Sequence, residues 1–118
     1  MAAIALNKFR TIRVPIKTTN VGIYTCPIGV ASIVILSQVT NISSGIASVT
    51  AIHARDPDPS TGIVSFRFAK DVPVPPNDSV SLVGDGRLAL ETNDVICVSG
   101  TENNKLELIL SVLETAKQ

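Results

Sequence analysis

The chain predicts an all-β fold: a single antiparallel β-sandwich, jelly-roll or Ig-like, with about eight strands and an N-terminal arm. Three observations carry that reading. Short apolar runs are divided throughout by turn chemistry, at spacings of roughly 8–12 residues. Hydrophobic residues make up 45% of the chain and aromatics only 3%, with no Trp. The core must therefore be built from Ile, Val and Leu, and the β-branched members favour a pleated, half-buried surface. Finally, Leu106, Leu108, Leu110 and Val112 alternate with Glu107, Ile109, Ser111 and Leu113, which is the period of a strand.

At 118 residues the chain is long enough for one domain with a core that needs no metal or disulfide. Two parts are expected: residues 1–16 as an arm and first edge strand, and residues 17–118 as the sandwich. Residues 1–9 (MAAIALNKF) are apolar and lack a capping residue, so they read as an arm that orders only by docking. Ile4, Leu6 and Phe9 are its candidate anchors on a neighbouring subunit. Residues 10–16 alternate, with Ile12, Val14 and Ile16 on one face. Pro15 removes a ladder donor, so this should be an edge strand or end near Pro15.

Residues 17–20 (KTTN) turn the chain into a short strand at 21–26, and Pro27-Ile28-Gly29 turns it again. Residues 31–41 contain Ile33-Val34-Ile35-Leu36, apolar on both faces, which suggests a central strand covered on both sides. Residues 41–45 (NISSG) read as a hairpin loop, with the return strand at 46–54. Residues 55–62 (RDPDPSTG) hold two Asp-Pro pairs and read as an irregular loop. Residues 63–70 alternate, placing Phe66 and Phe68 together toward the core. Strands at 79–83 and 87–90 flank Gly84-Asp85-Gly86, a hairpin turn on this reading. A Thr92-Asn93-Asp94 turn leads to a strand at 95–98. The last strand, 106–113, has two apolar residues, Ile109 and Leu113, on a face that solvent would not require, which suggests contact with another subunit.

Composition excludes several functions. The 10 basic and 10 acidic residues balance, so no whole-chain field recruits nucleic acid or an anionic membrane. No apolar run reaches the ~18–20 residues of a membrane span, and the first residues lack the basic start of a signal peptide. His53 is the single His and sits among Ala51, Ile52 and Ala54, so a structural or surface imidazole is expected rather than a base or ligand. Cys26 and Cys97 lack CxxC spacing. They read as reduced buried residues, with a disulfide between them left open on counting alone. Asp56, Asp58 and Ser60 alternate with the spacing of oxygen ligands for Ca²⁺, but the closing Glu and central Gly of an EF-hand are missing, and Asp-Pro turns explain them. Gly84-Asp85-Gly86 precedes a strand, not the helix N-terminus that a phosphate loop needs. Lys8, Arg10 and Arg13 suit a solvated edge strand, or a contact to an acidic neighbour or packaged nucleic acid. No catalytic, cofactor-binding or metal-binding residue is assigned, and no cofactor is expected.

Five segments in order support a resemblance: Val21-Gly-Ile-Tyr-Thr-Cys-Pro-Ile-Gly29, the strand at 33–41, Val72-Pro73-Val74-Pro75 with Ser79, Gly86-Arg-Leu-Ala-Leu-Glu-Thr-Asn-Asp94, and the closing segment 108–114. Together they resemble small β-sandwich virion structural proteins of tailed bacteriophages, including phages of cyanobacteria. Asn93 stands where that group often has Gly, and Asn tolerates the same left-handed turn. The resemblance implies a non-enzymatic capsid decoration (cement) protein of the phage head, made in the host cytoplasm. It would bind the major capsid protein and itself, as a homotrimer on three-fold sites, with no nucleic acid or membrane partner. Residues 1–16 would lie across the capsid protein, and the outer face of the last strand would pack between protomers. The expected partner-binding residues are Ile4, Leu6, Phe9, Arg10, Arg13, Ile109 and Leu113. The alternative is a small tail, baseplate or fibre-associated adhesion module using the 55–62 loop. A lectin-like sandwich is disfavoured by having only Tyr24 to stack on a sugar, and an enzyme by the lack of a nucleophile–base pair.

Overall fold

The computed structural model describes residues 7–58, 62–83 and 86–116, with backbone alone for 55–58 and 62–64. Nine strands run β1 (Asn7–Ile16), β2 (Val21–Thr25), β3 (Val30–Asn41), β4 (Ala47–Asp58), β5 (Gly62–Val74), β6 (Ser79–Ser81), β7 (Leu88–Leu90), β8 (Val95–Gly100) and β9 (Leu106–Ala116). They form two antiparallel sheets packed as a sandwich. One has the order β1-β9-β3-β6, with β7 also pairing β3; the other has the order β2-β8-β4-β5.

The sandwich exists because each long strand buries one face. On β9, Leu106, Leu108, Leu110 and Val112 are buried, and so are Val34 and Val39 on β3. Val49, Ala51, Ile96 and Val98 meet them from the other sheet. Each such Val, Leu or Ile contributes about 1.5–3 kcal/mol by leaving water. Pro15 lies on an edge strand as expected: β1 pairs only with β9 among the described strands. Gly29 (φ 79°) and Asn93 (φ 70°) take the left-handed conformation their turns require, so Asn93 does stand in for glycine.

Several expectations are corrected. β1 begins at Asn7, so Asn7, Lys8 and Phe9 belong to the ladder, opposite Thr115, Glu114 and Leu113. The 41–45 segment is not a hairpin, because β3 and β4 lie in different sheets. Buried Asn41 shapes this crossover: its Nδ2 donates to the carbonyls of Gly45 (2.7 Å) and Val74 (2.8 Å), and its Oδ1 accepts from the Ser43 N–H. Nor does the 82–87 segment join a hairpin. β6 and β7 both pair antiparallel with β3, at residues 38–40 and 32–34, so they follow one another along the same edge.

The Asp-Pro segment is also more regular than expected. Residues up to Asp58 stay in β4, with Arg55 opposite Val64 and Asp58 opposite Gly62. The ladder is irregular between Arg55 and Asp58, which lets Pro57 sit in a strand without a required donor. The Asp56, Asp58 and Ser60 side chains lie outside the described residues. Phe68 packs partly against the core, but Phe66 is 70% exposed. The β4–β5 ladder slips on both sides of Ala51, which breaks the alternation between the two rings. Pairing of β4 with β8 ends at Ala54, so the hairpin beyond overhangs the sandwich next to Phe66.

Candidate interaction face

β3 is central within its sheet, as expected, but only one of its faces is covered. Ile33 and Ile35 are 37% exposed and Leu36 is 41% exposed. The physical reason is that a sandwich has two layers, and the described chain supplies no third one. A bulge between Val34 and Leu36 adds Ile35 to this outer surface.

The registers show how the outer face is assembled. Phe9, Leu113, Ile33 and Ala89 stand in one row across four strands. Next come Thr11, Ser111 and Leu36, and then Arg13, Ile109, Gln38 and Ser81. The last row, Pro15, Glu107, Thr40 and Ser79, is polar apart from the proline. Apolar character is therefore concentrated toward the Asn7 end, where Phe9 is 73% exposed, and charge toward the Pro15 end. Four strands about 4.8 Å apart and ten residues rising about 3.3 Å each give a face on the order of 600 Å². A standard protein interface takes about 800 Å² per partner, so the face suits a macromolecule rather than a small ligand.

Of the expected partner residues, this face collects Phe9, Arg13, Ile109 and Leu113. Ile4 and Leu6 lie outside the described residues. Arg10 points to the opposite side of β1, where its guanidinium lies 3.7 Å from Glu114. Sequence reasoning missed Ile33, Ile35 and Leu36 as surface residues because an apolar run looks the same whether a partner or the chain's own layer covers it.

Arg10 belongs to a polar cluster that ties the sheets together. The Tyr24 hydroxyl donates to Glu114 Oε2 (2.5 Å) and lies 2.7 Å from Ser32 Oγ. Ser32 in turn lies 3.3 Å from Cys26 Sγ. Burial, with Glu114 beside it, pushes the Tyr24 phenol well above its usual range, so it stays neutral. Both cysteines are free, and burial pushes the Cys97 thiol up.

His53 has a positioned partner: its Nε2 lies 2.9 Å from Asp94 Oδ2. Asp94 is fully buried and also accepts from the Glu91 N–H. The pair anchors the turn before β8. Among the described residues no group of three His, Cys, Asp or Glu side chains is placed to hold a metal, and no helix is long and apolar enough to cross a membrane.

No protein-family model and no curated protein matches the sequence. Solved structures share the fold. A chain of the Bacillus endospore appendages, described as disulfide-linked pili, superposes with a TM-score of 0.56 at 12% identity, over 100% of this chain and 98% of its own. A chain of the acid-stable capsid of Helicobacter pylori bacteriophage KHP30 gives 0.54 at 8% identity, over 97% and 90%. A chain of the T13 particle of infectious bursal disease virus gives 0.59 at 8% identity. There the match covers 96% of this chain but about a third (32%) of the viral one. At these identities the likeness establishes an all-β sandwich that also occurs in capsid and pilus assemblies.

Proposed function

We propose that this protein is a non-enzymatic structural component of a phage virion, a capsid decoration protein that grips the major capsid protein and reinforces the head. The observation that carries the reading is the outer face of the β1-β9-β3 sheet. It is broad and apolar at one end, charged at the other, and uncovered by the described chain. A solvated sheet face normally alternates to polar residues, so Ile33, Leu36, Ile109 and Leu113 need a covering surface. The resemblance to phage virion proteins and the shared fold with capsid chains support the same reading. A homotrimer on three-fold sites is the proposed assembly. Copy number in purified particles tests it: hundreds of copies per virion are expected, whereas a dozen or fewer would contradict a shell role.

The overhanging β4–β5 hairpin favours a second reading, a tail or fibre-associated module. Phe66 is exposed beside Ser65 and Arg67, which suits contact with a host surface or a fibre. The same copy-number measurement separates the two.

A further inference from the structure

The sandwich is closed along one stretch of its β1–β2 side and open along another. Toward Asn7, Tyr24, Glu114 and Arg10 bridge the two sheets. Toward Pro15, a groove of about 330 Å³ opens between the edges. Val14 and Pro15 form one wall, Val21, Gly22 and Ile23 the other, and Val98 also lines it, with Lys17 as its charged residue. Val21 is 45% exposed there, and Val14 and Ile23 are half-buried. The volume is about twice that of the ~150 Å³ apolar cavity that accepts benzene, so it has room for two aliphatic side chains.

The chain carries such a pair immediately before β1, in Ile4 and Leu6 of MAAIAL. Their spacing of two puts both on one face of an extended segment. Reach decides which copy's groove they fill. Ile4 lies three residues before Asn7, so its Cα stays within ~11 Å of Asn7. Val14 lies seven residues along β1, about 24 Å away at a strand's rise. Leu6 directly precedes Asn7 and stays within ~4 Å of it, so the pair cannot both reach the same copy's groove, which leaves the groove of another copy.

We infer that residues 1–6 of one copy dock in the β1–β2 groove of a second copy, with Ile4 and Leu6 as the two anchors. The contact is heterologous: each copy gives a segment and offers a groove. It therefore closes into a ring or continues as a chain. Nothing in it depends on the shell role proposed above.

Light scattering after size-exclusion chromatography tests it with three proteins: the full chain, a deletion of residues 1–6, and Val21→Asp. The full chain assembles, and each variant alone is monomeric. Mixed together, the variants form a one-to-one complex, because Val21→Asp keeps the segment and the deletion keeps the groove. Leu6→Asp, a change that precedes β1 in the sequence, reproduces the deletion and guards against misfolding as the cause. A labelled peptide of residues 1–8 binds the deletion protein, and adding Val21→Asp weakens it at least tenfold. A monomeric full chain, a deletion protein with the full chain's mass, or a peptide indifferent to Val21→Asp would each overturn the inference.

Discussion

At the residue scale, the buried polar groups make the sharpest predictions. Tyr24 bridges β2 to β9 through Glu114, so Tyr24→Phe leaves a buried carboxylate short of a donor and should cost about 1–3 kcal/mol in urea unfolding at neutral pH. The same group sets an alkaline limit. Its proton is held to higher pH in the fold than in the unfolded chain, where a phenol titrates near 10.0. Its contribution is therefore complete below about pH 10 and shrinks above it, by up to ~1.4 kcal/mol per pH unit, as the unfolded chain ionises. The raised Cys97 thiol adds a loss of the same sign starting near its ordinary 9.0. Urea midpoints from pH 8 to 11.5 should fall more steeply for the natural chain than for Tyr24→Phe. Parallel curves would remove Tyr24 as the cause. Asn93, at φ 70°, offers an independent check: Asn93→Gly should be near neutral, and Asn93→Ala should cost about 1–2 kcal/mol.

At the element scale, adjacent residues of β9 should behave oppositely. Leu110 faces the core at 2% exposure and Ile109 faces outward at 44%. Leu110→Ala should cost about 2–5 kcal/mol. Ile109→Ala should cost under about 1 kcal/mol in the isolated protein, because it leaves no cavity. Equal losses would mean that the outer face is not free. This alternation was legible in the sequence because period-2 patterning is a local property. Strand destination was not. Asn41 to Gly45 has hairpin composition, yet the chain crosses to the other sheet, where Asn41 satisfies the carbonyls of Gly45 within the crossover and of Val74 at the end of β5. The glycine turn after β6 likewise says where a strand stops, but not that β7 resumes along the same edge. Phe66 was misplaced because bulges around Ala51 break a parity that the sequence does not mark. His53 and Asp94 are 41 residues apart, and neither announces the other. Phe9 and Arg13 were expected in the arm and first edge strand; of the outer face itself, Ile109 and Leu113 were legible. Ile33, Ile35 and Leu36 were not, because their exposure depends on how many layers the fold has.

At the scale of the whole molecule, a neutral sandwich with one broad apolar face and inter-sheet polar pins suits attachment to a neighbour. The central claim is that this face holds the protein on a capsid. The most direct measurement is occupancy on particles that lack the protein, after adding back a variant with Ile33→Asp, Ile109→Asp and Leu113→Asp. Co-sedimentation reads the copies bound, and thermal unfolding confirms that the variant folds. Phe66→Asp, on β5 beside the overhanging hairpin, serves as the control. The account predicts that the triple variant stays folded and loses at least 90% of its occupancy, while Phe66→Asp decorates normally. A folded triple variant that decorates to the natural copy number would contradict it.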